Sequence, residues 1–496
     1  MVKIGSNVLE KNYWNLPHDV DLANQAEPPF FLPNNDWNAA VGIQTRGRTF
    51  THTGPIRSTV VTIAERLFGT RLALLYRGQG TVRVQGHAQV GRIDDFVIQG
   101  RSTTVLLFEL GTGMFAYEVM NAVDFTLVAI VEADNIGAFL RGDVAHPVLQ
   151  AVWHHLPGYR RLMDWCGVEC ALSQIDVDRE PYTWSDYDIR PGRLRKDEER
   201  GPGEEATHGT LLQIPRLITA HPGDYWVCLP GELDDAGFVR LGQKLGPVMK
   251  PSDVLEYTNE AWNPSFAATH RLQNRRPAGM HWAEWYVREA VRCITLFEQG
   301  AGKRFKRVAC WQSAGGDWAF GLDWNQKPSL PELYSRVDFF DALAIAPYLF
   351  NDARPVSEFE FVRHMDELEQ RCRNWKAVAD MHGKPLWAYE GLIEIPAAQH
   401  DAVRDTPEMG DWIYRYLVRL APFFEHFCAY TAMGPTWGLI EGRGRPVNRA
   451  FGVLRFIAEQ AGGSSGFVEY LMATAQRRVV ASAPLPPELI ELIGPS

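Results

Sequence analysis

Two glutamates close short apolar runs: Val254-Leu-Glu-Tyr-Thr-Asn-Glu260 and Pro385-Leu-Trp-Ala-Tyr-Glu390. A strand can end in an acid for many reasons, so either residue alone says little. Two carboxyl groups from the ends of facing strands can flank one bond. Cleavage of a glycosidic bond through a covalent intermediate needs such a pair, about 5 to 5.5 Å apart, with one group on each side of the scissile bond. The competing reading of the same two residues is a structural ion pair at the rim of the fold. Glu256 has the strand parity of Glu260, and a satisfied interior acid is its expected role rather than a third catalyst.

Stepping outward from these residues, the chain must supply strands that face each other. From about residue 121 short apolar runs alternate with longer amphipathic stretches. The expected strands are Phe125–Val131, Tyr159–Trp165, Tyr225–Leu229 and Val254–Glu260, then Arg307–Gln312, Ala342–Tyr348, Pro385–Glu390 and Phe427–Thr431. Apolar residues at helical spacing predict helices over His281–Gln299 and Glu358–Met381. Eight strands alternating with helices predict an α/β fold, a parallel (β/α)₈ TIM barrel whose chemistry sits at the C-terminal ends of its strands. A doubly wound open sheet is the competing topology, and the count of eight favours closure. The fourth and seventh strands then stand across the barrel mouth, with Glu260 and Glu390 facing each other.

Residues 1–120 read as an N-terminal all-β, sandwich-like domain. Arg71–Tyr76 and Thr81–Val84 flank a turn signal at Arg77-Gly78-Gln79-Gly80, and Asp95–Gln99 and Thr103–Glu109 offer two more short strands. The expected division is therefore 1–120 for this domain, 121–462 for the catalytic barrel and 463–496 for a tail packing on either. The stretch from Cys166 to about Gly209 is a long loop over the catalytic face, carrying Tyr182, Trp184 and Tyr187 before a charged run.

The Asn259-Glu260 pair on the fourth strand, with Glu390 on the seventh, resembles the hallmark of the clan A superfamily of retaining glycoside hydrolases. Around Leu255-Glu-Tyr-Thr-Asn-Glu-Ala-Trp-Asn263 the chain resembles most a poorly characterised bacterial and viral group with a VEYSNEVWN-like motif. That group also carries a counterpart of Arg161-Leu-Met-Asp-Trp165. The resemblance implies Glu260 as acid/base, Asn259 as a donor to the sugar 2-hydroxyl and Glu390 as nucleophile. It further implies that Arg161 and Tyr348 orient the nucleophile and that Trp437 forms an aromatic platform under the sugar. For Arg161 the alternative is neutralisation of Asp164 or another barrel acid, and for Trp437 it is simple packing. Asp164, Trp165 and Trp262 are further candidates for sugar contact. Two positions depart from the group's pattern. Gly391-Leu392-Ile393-Glu394 stands where Gly-Gly-Gln-His follows the nucleophile, and Gly231 stands where a histidine follows the third-strand proline.

The division of labour has an electrostatic logic. A nucleophile must stay ionised, which Arg161 beside Glu390 would favour. An acid must keep its proton, which the charge of Glu390 would favour in Glu260.

Composition bounds the alternatives. With 46% hydrophobic and 22% charged residues the chain is of ordinary globular type. A net charge of −10 argues against a nucleic-acid partner, since phosphate binders present basic stripes. No apolar run suggests a membrane span or a signal peptide, so the expected location is cytoplasmic or on a phage virion. Sixteen tryptophans suit the apolar faces of sugar rings, or equally a large core. The seven cysteines read as small buried residues, and Cys166 and Cys170 lack the spacing of a zinc site. Walker and His-Glu-x-x-His motifs are missing from the sequence. The expected partner is a carbohydrate substrate, with no cofactor and no metal. The rival reading is a carbohydrate-binding or virion structural protein on the same barrel.

Overall fold

The computed structural model of the protein describes residues 2–8, 20–24, 31–33, 49–58, 61–163, 214–231, 233–263, 267–280, 282–313, 336–349, 356–394, 403–434, 437–441 and 447–462. The 166–209 loop, the 463–496 tail, Asp164 and Trp165 lie outside these residues.

Eight parallel strands close into a barrel: Lys3–Val8, Arg160–Leu162, Tyr225–Leu229, Val254–Tyr257, Lys306–Gln312, Ala342–Ala346, Leu386–Ala388 and His426–Ala429, the first to eighth strands in order. Helices fill the connections, as in a (β/α)₈ barrel. Pro147–His155 precedes the second strand, and Asp235–Leu245, Trp282–Ala301, Glu358–Met381 and Pro407–Leu420 lead into later ones. Trp282–Ala301 turns Trp282, Tyr286, Cys293, Ile294 and Phe297 inward, the stripe that its 3.6-residue period lays against the strands.

The first strand corrects the sequence reading. Lys3–Val8 pairs with the second strand (Asn7 opposite Arg161) and with the eighth (Ile4 opposite Phe427), and so closes the barrel. Phe125–Val131 instead belongs to Tyr117–Glu132, a long strand antiparallel to Arg71–Val84. The antiparallel sheet is therefore inserted between the first and second barrel strands, rather than preceding the whole barrel. The physical reason is that an apolar run fits a buried antiparallel strand as well as a barrel strand. Lys3-Ile-Gly-Ser-Asn-Val8 has only Ile4 and Val8 as large apolar residues, and both point out of the barrel into the helix layer. Its inward positions are Gly5 and Asn7.

Within the inserted seven-stranded sheet, Arg71–Val84 is continuous through Arg77–Gly80, where the sequence predicted a turn. Gly78 has φ 84°, and a Cβ there would lie 2.2 Å from the Asp124 carbonyl. The pairing register with Tyr117–Glu132 shifts on either side of Val123. The two glycines mark a bulged strand, because glycine tolerates the backbone geometry of a bulge as readily as that of a turn.

Inside the barrel, alternate residues of each strand meet, as the two-residue period requires. The lower interior is aromatic: Trp226 and Trp387 lie 5.7 Å apart between ring centroids, and Tyr159 and His426 lie 4.6 Å apart. One step further along the strands come Asn7, Arg161, Cys228, Glu256 and Tyr389, and the interior turns polar. The five described cysteines, Cys228, Cys293, Cys310, Cys372 and Cys428, are free and buried.

Close approach of the first strand to the second depends on Gly5, whose added Cβ would fall 2.1 Å from the Tyr159 carbonyl oxygen. Gly5→Ala is expected to destabilise the protein by about 1–3 kcal/mol, the usual cost of forcing an atom into a packed interior. A urea midpoint equal to wild type would show that Lys3–Val8 does not close the barrel.

Candidate active site

Each acid reaches the barrel mouth because its strand stops just before it. The fourth strand ends at Tyr257, and the backbone then takes positive φ at Thr258 (49°) and Glu260 (42°). This left-handed geometry is unfavourable for residues other than glycine, and functional sites are where it most often persists. The seventh strand ends at Ala388, leaving Tyr389 and Glu390 beyond it. Leu392–Ile393 then pairs with Tyr348–Leu349, which fixes Tyr348 beside Glu390.

The centre of the site is Arg161, fully buried. Its Nε and Nη2 donate to the two oxygens of Glu256, both at 2.8 Å. Nη2 also donates to Asn259 Oδ1, at 2.8 Å. Nη1 donates to Asn7 Oδ1 at 2.8 Å and to Glu390 Oε1 at 2.7 Å. The second Glu390 oxygen accepts from the Tyr348 hydroxyl at 2.7 Å. Glu390 thus sits between a cation and a phenol.

Glu260 has a different surround. Its Oε2 accepts from Asn263 Nδ2 at 2.7 Å, and its Oε1 lies 3.4 Å from the Tyr389 hydroxyl, at the long end of hydrogen bonding. Trp262 Nε1 donates to that same hydroxyl at 3.1 Å. No cation is bonded to Glu260 among the described residues. Burial, then the charge of Glu390, push its carboxyl up to about 8. Burial also raises Glu390, against the opposing pull of Arg161 and the Tyr348 hydroxyl. Of the two groups, Glu260 is the one placed to hold a proton and Glu390 the one held by a cation.

The structure brings together Glu260, Glu390, Arg161, Asn259 and Tyr348, with Trp262 joined through Tyr389. Arg161 pairs with Glu256 and Glu390, while Asp164 lies outside the described residues. Trp437 stands further out. Its ring centroid is 6.2 Å from that of Tyr430, which is 5.9 Å from Tyr348. Sequence reasoning missed Asn7, because its strand was not recognised, and Asn263 and Tyr389. The parity of Tyr389 with Trp387 was a readable signal, since both turn into the barrel. Glu394, at a position where the resemblance expects a histidine, is a further carboxyl near the pair. Burial and the charge of Glu390 raise it.

Comparison with solved structures finds likeness to an endo-β-1,4-mannanase of glycoside hydrolase family 26 from Cellulomonas fimi. Identity is 12%, over 56% of this chain and 63% of that one, with a TM-score of 0.35. A GH39 enzyme from Xanthomonas axonopodis pv. citri is similar at 13% identity, over 62% and 61% of the two chains, with a TM-score of 0.38. A β-glycosidase from Thermosphaera aggregans is similar at 9% identity, over 68% and 86%, with a TM-score of 0.35. No family model and no curated protein matches the chain. The barrel itself rests on its own strand pairing.

The raised Glu260 has a consequence for stability. Its folded-state value of about 8 exceeds the ordinary 4.5, so the folded chain keeps a proton that the unfolded chain has released in between. Stability associated with that proton is fully present below the unfolded value and is lost as pH rises through the folded one. Glu260→Gln, neutral throughout, is therefore expected to unfold at higher urea than wild type near about pH 8 and to converge with it near about pH 4. Parallel urea midpoints across that range would refute the assignment of a raised Glu260.

Proposed function

We propose that the protein is a retaining glycoside hydrolase, with Glu390 as nucleophile and Glu260 as acid/base. The observation that carries this reading is the unlike surround of two buried carboxyls at one barrel mouth. Glu390 is held by Arg161 and Tyr348, and Glu260, among the described residues, by neutral donors only.

In the first half-reaction Glu390 attacks the anomeric carbon while Glu260 gives its proton to the leaving oxygen. The hydrogen bonds of Arg161 and Tyr348 hold the Glu390 carboxylate in one orientation, so attack needs little rearrangement. Formation of the glycosyl ester removes the charge of Glu390. One of the influences that raise Glu260 then disappears, and Glu260 can take a proton from water. Water attacks the ester carbon, Glu390 leaves as carboxylate, and two inversions restore the anomeric configuration. Asn259 is held by Arg161 through its carbonyl oxygen, which leaves its amide group to meet the sugar 2-hydroxyl.

Glu390→Ala should abolish release of reducing ends from a panel of neutral and charged glycans, and azide should restore turnover as a glycosyl azide of inverted configuration. Glu260→Gln should lower the rate on unactivated glycosides by about 10²- to 10⁴-fold, the usual weight of a general acid. The wild-type rate should fall as pH rises through about 8, where Glu260 loses its proton. Wild-type protein that binds a glycan but cleaves none in the panel would instead establish a carbohydrate-binding protein on this barrel.

A further inference from the structure

Glu256 is a buried carboxylate that the proposed reaction does not use. It points into the barrel from the middle of the fourth strand, beneath the acid/base on the same strand. It takes the whole Nε–Nη2 edge of Arg161 in a two-toothed contact and leaves Glu390 a single N–H from Nη1. The orientation of the guanidinium is also set by Glu256, since a fork bound along one edge has one plane available to it. The groups facing Glu256 are Arg161 from the second strand, Trp226 and Cys228 from the third, Cys310 from the fifth, Tyr389 beyond the seventh and Cys428 from the eighth, with Tyr286 from the helix Trp282–Ala301. Trp226 Nε1 donates to its Oε2 at 2.7 Å and the Cys228 thiol lies 3.3 Å from the same atom. Cys310 and Tyr389 are both raised, by burial first and then in part by its charge. The groups facing Glu390 are Arg161, Tyr348, Tyr389, Cys428, Glu260, Glu394 and Glu256 itself.

We infer that Glu256 is a positioning residue that divides the charge of Arg161, so that Glu390 is held by half a counter-charge rather than a whole one. The functional sense rests on the proposed role of Glu390. A carboxylate owned outright by an arginine stays ionised but loses basicity, and with it nucleophilic power. One without a cation, at this depth, would take up a proton. Two carboxylates on one guanidinium lie between these limits. Asn7 completes the arrangement from the first strand. Its carbonyl oxygen accepts from Nη1 beside Glu390 and its amide donates to the Tyr389 carbonyl at 3.1 Å, so Nη1 cannot swing wholly onto Glu390.

The test reads Glu390 directly, on free protein without substrate, by titrating its ¹³C-labelled side-chain carboxyl with Glu390→Gln as the assignment control. Glu256→Gln keeps the shape and removes the rival charge, so Glu390 should titrate lower by about one pH unit or more. Glu256→Asp restores the charge and should bring the titration back toward wild type. A Gln variant that leaves the Glu390 titration in place or raises it overturns the inference, and so does an Asp variant that moves it as far as Gln. If Glu256→Gln does not fold cooperatively, Asn7→Asp decides instead. It puts another carboxylate on Nη1 and should raise the Glu390 titration, whereas no change or a fall overturns the inference. Failure of the wild type to cleave any glycan would defeat the proposed function and leave this titration result standing.

Discussion

One buried guanidinium organises the mouth of the barrel. Arg161 has five N–H groups to satisfy, and five acceptors meet them: both oxygens of Glu256, Asn259, Asn7 and Glu390. These partners come from the first, fourth and seventh strands, and Arg161 from the second. A buried charge without partners is too costly to keep, so the strands that carry the partners cannot drift apart without exposing or stranding it. Barrel closure and site geometry are therefore coupled at one side chain.

The layers beneath make that arrangement possible. Trp226, Trp387, Tyr159 and His426 fill the lower interior and exclude water from below. Low polarity there strengthens every ionic contact above it, and also raises the cost of any acid left unpaired. Burial raises both Glu390 and Glu260, and the two differ in what opposes it. Glu390 has a cation within hydrogen-bond distance, and Glu260 has amide and phenol donors. Tyr389 touches both halves. Its ring lies under the Arg161 guanidinium at 4.9 Å and its hydroxyl approaches Glu260.

Glu394 and Gly231 stand at two positions where the sequence reading expected histidines. Glu394 adds acidity close to the pair, and Gly231 offers only its carbonyl, which accepts from the Tyr257 hydroxyl at 2.9 Å. Neither change disturbs the contacts of Arg161. The differences thus fall on the surfaces around the two acids rather than on the pair itself.

Much of this was legible in the sequence. The strand-end glutamates, the Asn259-Glu260 pair and most of the barrel strands follow from apolar runs and their spacing, which are local properties. The sequence also placed Arg161 on a strand of the barrel, whereas Tyr348, read as the end of the sixth strand, lies just past it on Tyr348–Leu349. It did not determine which strand opens the barrel, because a strand is chosen by its partners. Lys3–Val8 carries little apolar signal of its own and is selected by pairing with two strands far along the chain. Asn7 was invisible for the same reason. The sharing of Arg161 between Glu256 and Glu390, separated by more than a hundred residues, is likewise set by tertiary structure alone. Composition supplies the charges, but only closure of the barrel decides how one cation is divided between two acids.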